Sequence, residues 1–411
     1  MPTLDGLYVP YTAMKLAELK TFAEEVIDFI NEFAPQTLCS FHSQPELTQH
    51  NQPHAEAFEK LALRLFELQF RYNHPYRRYC EYLRITPNTI QSWQQIPAVP
   101  TTAFKDFEMT CLPEEMREHV FFSSGTTSSS RSKHYHCTLS IKLYETSIWN
   151  WFLAHVWPMA FEATNPCSNP IVCILTPPPE SAPESSLVHM FGLIASRFGN
   201  AEFCAQKSTS GYWSPDFTRV IKTFEKAIRL SAPVLTLTPA SALVLLLEFM
   251  SKHSVSIKLP PYSVIMETGG YKGQVKPVPK SKLYAIVEEV LGIPQNRIVS
   301  EYGMCELSSQ AYDHAVSRSG TEYEGSASPI PSPENRTFHF PPWARAVVIS
   351  PESGAEVALD QTGIIKVIDL ANVFSVQAIF TGDLGIRTKH GFRLLGRAPT
   401  LEPRGCSLMV T

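Results

Sequence analysis

The chain contains no Cys-x-x-Cys pair, no long apolar run and no large excess of charge of either sign. Its nine cysteines, an odd number scattered from Cys39 to Cys406, argue against a disulfide framework or a zinc knuckle. The longest oily stretch, Ala242 to Leu247, is far too short to cross a bilayer, and the amino terminus lacks the basic head and apolar run of a signal peptide. A soluble cytoplasmic protein with no membrane span is therefore expected. Thirty-five Lys and Arg against thirty-nine Asp and Glu leave a net charge of -4, so no global basic field draws in nucleic acid. Any anionic ligand must be caught by a local site.

What is present is a globular composition. Apolar residues make up 44% and charged residues 18%, well above the hydrophobicity at which chains stay disordered. At roughly 150 residues per domain, 411 residues suggest two to three domains. The thirty-three prolines exceed the usual share of ~5% and sit largely at junctions, implying short elements separated by stiff turns.

Three regions follow from the patterning. Residues 1–110 are mainly helical: apolar residues recur at helical spacing from Thr12 to Phe33 and from Phe58 to Phe70. Between them, Ser40 to His54 is expected to be an exposed connection, with His42, His50 and His54 on its surface. Residues 111–342 alternate short aliphatic runs (Ile171 to Leu175, Val234 to Leu237, Ser263 to Glu267) with helical patterns (Ser186 to Phe198, Ala240 to Met250, Ser281 to Leu291). That alternation predicts a mostly parallel sheet with crossover helices, whose ligand sites lie at the carboxyl ends of the strands. Ser317 to Pro342 is read as a linker or long surface loop. Residues 343–411 form a small β subdomain, with strands expected at Ala344 to Ile349, Gly363 to Asp369, Val376 to Phe380 and Phe392 to Leu395.

Three segments carry chemistry-bearing residues. In Val120 to Lys133, an apolar run feeds the hydroxyl cluster Ser123, Ser124, Gly125, Thr126, Thr127, Ser128, Ser129 and Ser130, followed by Arg131 and Lys133. Backbone N–H groups, hydroxyls and two cations suit polyphosphate, although the Walker spacing is absent and a flexible polar surface loop has the same composition. In Ser300 to Tyr312, Tyr302 offers an aromatic face, Gly303 permits close approach and Glu306 supplies a hard carboxylate; a buried tyrosine before a turn with a surface glutamate reads the same way. In Phe380 to Gly385, Asp383 follows Thr381 and Gly382 and can accept from a ribose diol, with Arg397 close behind; singly, these are β-turn patterns. His134 and His136 share one face of an extended segment, facing solvent or substrate, and supply only two potential metal ligands. Trp149, Trp151, Phe152 and Trp157 wall either an apolar acid pocket or the core.

Together, and with Met266-Glu267-Thr268-Gly269-Gly270, these segments resemble the adenylate-forming superfamily across Phe121 to Arg397. Ile96 to Lys105, Pro341-Pro342-Trp343 and Arg404 to Leu408 are more specifically similar to the LuxE-type acyl-protein synthetases. The resemblance implies an α/β fold with mixed sheets like the large domain of adenylate-forming enzymes, crossover helices and the small β subdomain. It implies ATP and Mg2+, with Ser123 to Thr127 on the β and γ phosphates and Gly269 and Gly270 lining the adenine pocket. Tyr302 would stack on adenine beside Gly303, Asp383 and Arg397 would hold the ribose, and Glu306 would bind magnesium. The substrate would be a carboxylic, fatty acid, activated to acyl-AMP and passed to Cys406 and then to an acyl reductase or other acyl-accepting protein. Delivery to a diffusible thiol or amine, and a catalytically silent nucleotide-binding subunit, are the competing readings.

Three departures accompany the likeness. Ser128 stands where the superfamily has glycine, and Cys305 stands where it has threonine next to the phosphate. The chain ends fourteen residues after Arg397, so the mobile lysine-bearing domain is expected to be lacking. Lys133, Arg131 or Lys272 is the expected replacement cation, and Cys305 is the rival nucleophile to Cys406.

Overall fold

A computed structural model describes residues 11–33, 52–123, 131–161, 169–207, 213–269, 276–316 and 331–398. The first helix, α1 (Tyr11–Glu32), packs against α2 (Gln52–Tyr72), which α3 (His74–Tyr82) follows. Asn73 separates the last two: its side chain accepts from the Tyr76 backbone N–H, capping α3 ahead of Pro75. The expected connection from Ser40 lies outside the described residues up to Asn51, together with His42 and His50. His54 falls within α2, its ring 4.7 Å from that of Phe33.

Beyond the short strand β1 (Val99–Pro100) and the one-turn α4 (Ala103–Asp106), the hairpin β2 (His119–Phe122) and β3 (Lys133–His136) leads into α5 (Thr138–His155). Strand and helix then alternate as the pattern predicted: β4 (Ile171–Ile174), α6 (Ser186–Phe198), β5 (Ala201–Phe203), the hairpin β6 (Ala205–Lys207) and β7 (Trp213–Pro215), α7 (Phe217–Leu230), β8 (Val234–Pro239), α8 (Ala240–Lys252), β9 (Val264–Thr268), α9 (Lys280–Leu291) and β10 (Ile298–Tyr302). Local chemistry sets the boundaries. Ser185 and Asp216 cap α6 and α7 by accepting backbone N–H bonds, and Gly199 and Gly292 end α6 and α9 in the left-handed conformation that glycine adopts without strain.

These strands form a six-stranded sheet ordered β11-β10-β9-β8-β4-β5, parallel except for the antiparallel edge strand β11 (Ala311–Tyr312). Its central strands β4, β8 and β9 are buried on both faces, so they read as largely apolar runs. Val172, Ile174, Leu235 and Leu237 enter one core, while Ile171, Cys173 and Val234 enter the other, as period-2 side chains must. Trp151 and Trp157 belong to the larger core, and Trp149 packs against it from the rim.

The second sheet joins β12 (Ala344–Ile349), β13 (Thr362–Asp369), β14 (Ala378–Arg387) and β15 (Phe392–Arg397) with β1, which pairs in parallel with β14. The segment around Ile96 to Lys105 thereby lies along the strand that carries Asp383. Of the linker expected from Ser317 to Pro342, residues 317–330 lie outside the described residues. Among the described residues, no helix is long and apolar enough to cross a membrane.

Trp343 is fully buried at the start of β12, with its ring facing Phe33 and Trp151. Its indole N–H donates to Ser147 Oγ at 2.7 Å. Truncating it removes a large buried ring and leaves a cavity between α1, α5 and the second sheet. Trp343→Ala is expected to cost about 3–5 kcal/mol, measured as a lower urea midpoint at unchanged slope.

Candidate active site

The site is built around the carboxyl end of β10. Alternation along that strand sends Tyr302 to one side and Glu301 to the other. The Tyr302 ring packs edge-on against Phe338, Phe340 and Phe392, and its phenol donates to Asp383 Oδ2 at 2.8 Å. Burial, then the neighbouring carboxylate, hold that phenol well above the usual tyrosine range, so it stays a donor. Asp383 sits opposite Arg397 in the β14–β15 ladder, and Arg397 Nε lies 3.3 Å from its other oxygen. The guanidinium is exposed, which makes the pair weak as a stabilising ion pair and leaves it accessible to a ligand.

Gly303 follows, and a Cβ there would come within 2.4 Å of Glu301 Oε1. The next turn carries Cys305 and Glu306, both buried. Glu306 is thus not the surface carboxylate that the alternative sequence reading allowed. Burial raises it above the usual carboxylate range, while hydrogen bonding from Ser132 and the fields of Arg397 and Lys105 oppose the rise. Burial, then Glu306, push the Cys305 thiol well up, so it remains protonated and is not an activated nucleophile.

The β2–β3 hairpin brings the third segment to this turn. Ser123 and Ser132 close its mouth: Ser123 N donates to Ser132 O at 3.0 Å, and Ser132 N donates to Ser123 Oγ at 2.9 Å. Arg131 donates to Ser123 O and pairs with Glu184 at 3.0 Å, its guanidinium over the Phe122 ring. Lys133 opens β3, half-buried. Ser132 Oγ reaches Thr101 O at 3.3 Å, which ties the hairpin to the end of β1. Ser123, Tyr302, Cys305, Glu306, Asp383 and Arg397 are therefore assembled around one locale, with Gly269 at the end of the neighbouring strand in a left-handed conformation (φ 76°). Ser124, Gly125, Thr126, Thr127, Ser128, Gly270, Lys272 and Cys406 lie outside the described residues.

Several residues of this site carried no sequence signal of their own. Lys105 and Ser132 act on Glu306 from segments whose role is visible only once β1 lies beside β14. Asp369 is a third: it accepts from Ser308 N (2.9 Å), Ser309 N (2.8 Å), Ser309 Oγ (2.7 Å) and Ala371 N (3.0 Å), fixing the turn that follows Glu306. Of the two orientations expected for the histidines, toward solvent or toward substrate, burial removes the first. His134 and His136 are buried with rings 4.2 Å apart, and burial lowers His134 to about 4 and His136 well below the usual range. Both are neutral, and among the described residues no cluster able to hold a metal ion includes them.

This arrangement, a parallel sheet whose strand ends meet a hydroxyl-bearing hairpin and an aspartate-bearing second sheet, is the fold of the adenylate-forming ligases. A crystal structure of 2-hydroxyisobutyryl-CoA ligase in an open conformation, in complex with 2-HIB-AMP and CoA, superposes with a TM-score of 0.56 at 14% identity, over 82% of this chain and 69% of that one. The same enzyme in its thioesterification state gives 0.55 at 15% identity, over 84% and 68%. Within that class, residues 38–411 match the acyl-protein synthetase family LuxE, and the chain belongs to that family. It is 22% identical to the long-chain-fatty-acid–luciferin-component ligase of Aliivibrio fischeri over 366 residues, covering 89% of this chain and 85% of the relative. The protein is an ATP-dependent acid-activating ligase that transfers an acyl group to protein.

Burial pushes the Glu301 carboxyl up to about 7, with Thr268 opposing and Glu267 adding to the rise. An acid whose folded value lies above its unfolded value contributes stability below about pH 4.5 that is lost as pH rises through about 7. Glu301→Gln removes that dependence. Between pH 5 and 8 the unfolding free energy of the variant is expected to gain on the native protein by an amount of the order of 3 kcal/mol. Parallel urea-midpoint profiles for the two proteins would contradict this.

Proposed function

We propose that the locale around Tyr302 binds ATP and a carboxylic acid, joins them as acyl-AMP, and hands the acyl group to Cys406. Tyr302, Gly303, Gly269 and Gly270 bound the adenine. Asp383 and Arg397 hold the ribose, with the Tyr302 phenol fixing the carboxylate so that it meets the diol without reorganising. Ser123, Ser124, Gly125, Thr126 and Thr127 surround the β and γ phosphates. The observation that carries the reading is convergence: residues from three remote segments meet at one point, and the field of Arg397 reaches both Asp383 and Glu306.

Glu306 fits Mg2+. A buried carboxylate raised by desolvation is favoured in its charged form by a cation beside it, and Mg2+ takes few protein ligands, completing its shell with phosphate oxygens and water. When bound, the ion supplies positive charge to the departing pyrophosphate. No general base is needed, because the acid is already ionised. One carboxylate oxygen forms a bond to the α-phosphorus as the α–β bridging bond breaks and pyrophosphate leaves. Ser132 and Lys105 favour the charged form of Glu306, and Lys133 and Arg131 sit at the hairpin mouth where negative charge accumulates. Catalysis is then largely alignment and charge neutralisation.

In the second half-reaction the Cys406 thiolate attacks the acyl carbonyl, the C–O bond to AMP breaks, and the thioester passes to a partner protein, for which an acyl reductase is the leading candidate. Arg404 beside it favours the thiolate, in contrast to the protonated Cys305.

Pyrophosphate exchange with a panel of acids tests the first half. Glu306→Gln is expected to lower exchange about 10²-fold, and Asp383→Ala to raise the KM for ATP. Cys406→Ser is expected to keep exchange and lose acid-derived label on the protein. ATP binding without exchange for any acid would sink the proposal; label retained by Cys406→Ser would move the acceptor elsewhere.

A further inference from the structure

Joining a carboxylate to a triphosphate brings like charges together, so the reaction needs positive charge that is not already spent within the protein. Around the Tyr302 locale most of it is spent. Arg397 lies 3.3 Å from Asp383 and donates to Thr381 O at 3.2 Å. Arg131 donates to Ser123 O at 2.7 Å and pairs with Glu184 at 3.0 Å. Lys133 and Lys105 remain, and neither ammonium makes a hydrogen bond or ion pair among the described residues.

Strand geometry separates the two. Successive side chains of β3 point to opposite faces, and their burial alternates accordingly. His134 is on the face of the Glu306 turn, its ring meeting Cys305 O at 2.9 Å, so Lys133 is on the other face with Tyr135. Tyr135 reaches Glu108 at 3.4 Å and lies under the Arg117 guanidinium.

Lys105 is placed differently. β1 runs parallel to β14 with Pro100 opposite Phe380, and Thr101 N donates to Phe380 O at 3.3 Å. The chain therefore turns into α4 beside Thr381, Gly382 and Asp383. Thr101 O lies 3.3 Å from Ser132 Oγ, the hydroxyl that also bears on Glu306. Phe104 anchors this turn: it is fully buried, its ring 6.3 Å from that of His134. Lys105, the next residue, is exposed, and its charge acts on Glu306 alongside that of Arg397. An unpaired cation on a flexible stem is thus rooted between the aspartate-bearing strand and the turn of Glu306.

We infer that Lys105 is a further catalytic residue for acid activation: its ammonium contacts the incoming carboxylate and the α-phosphate and offsets the charge that builds between them. The inference rests on the acid-activating reading of the site and adds a cation at its reacting centre. Lys105 keeps its proton throughout. The carboxylate oxygen forms the bond to phosphorus, the α–β bridging bond breaks, and pyrophosphate carries the electron pair away. Lys133 and Arg131 stay with the outer phosphates at the hairpin mouth.

Pyrophosphate exchange with the full chain tests it, using ATP, Mg2+ and a series from hexanoic to hexadecanoic acid. Lys105→Ala is expected to lower kcat about 10²-fold while the KM values for ATP and acid move less than about threefold, the pattern of an interaction made only in the transition state. Truncating an exposed, unpaired lysine is expected to leave the urea midpoint unchanged. Lys105→Arg, which keeps the charge, is expected to recover at least about tenfold, and propylammonium added to Lys105→Ala is expected to restore part of the loss. Native kcat in Lys105→Ala, or a higher KM for ATP with kcat unchanged, overturns the inference, and so does a fall in kcat that neither arginine nor propylammonium reverses. In each of those cases acid activation stands, because the native protein still exchanges. If the native protein exchanges with no acid in the series, the underlying reading fails and takes this one with it.

Discussion

The site depends on one buried carboxylate that touches no substrate in the proposed reaction. Asp369, at the end of β13, takes hydrogen bonds from two successive backbone N–H groups, a serine hydroxyl and a third backbone N–H. Burial lifts it to about 6, and those four donors work against the rise. The chain from Cys305 to Gln310 has little regular structure to hold it, and Asp369 takes up donors that would otherwise be buried unpaired. Asn372 adds a second tie, donating to Glu306 O at 2.8 Å and meeting Ser308 Oγ at 2.6 Å.

The same carboxylate orders the packing between layers. Because Ser309 spends its proton on Asp369, Ser147 must donate to Ser309 at 3.0 Å, and Trp343 donates to Ser147. The resulting relay has one direction: indole, hydroxyl, hydroxyl, carboxylate. It joins β12, α5, the active-site turn and β13 with no polar atom along it left bare. Gln69 extends the polar frame to α2, donating to Asn372 O at 2.8 Å. The helical amino-terminal region therefore bears directly on the turn that presents Glu306.

The strands and helices of the parallel sheet were legible because burial on both faces leaves a plain signature, an aliphatic run closed by proline or glycine. The second sheet was harder. Val376 to Phe380 reads as a strand ended by a glycine-rich turn, yet β14 runs from Ala378 to Arg387. Its glycines are in the strand for packing reasons: a Cβ on Gly385 would meet the Ile365 side chain at 2.9 Å, and the ladder slips between Leu384 and Gly385. Tyr302 and Arg397 end their strands, Asp383 lies within β14 and Glu306 sits in the turn after β10, so no single local pattern marks the four. Asp369 and Glu301 gave no cue, because an acid inside a β-branched run becomes meaningful only through the partners that folding brings to it.

Strand β10 has two different surroundings at its carboxyl end, Asp383 on one side and Thr268 on the other. Its side chains alternate, so the residue facing the aromatic and aspartate pocket is adjacent in sequence to the residue facing the buried polar group, about 3.4 Å further along the strand. Gly303 keeps both faces open: any side chain there would displace Glu301 Oε1, and with it the hydrogen bond to Thr268 that positions the carboxyl. In the proposed reaction a carboxylate oxygen must reach phosphorus, and a rigid strand end holds the groups beside it in place for that better than a loop would. The turn anchored by Asp369 follows at once and carries Glu306 to the Ser132 hydroxyl and into the fields of Arg397 and Lys105.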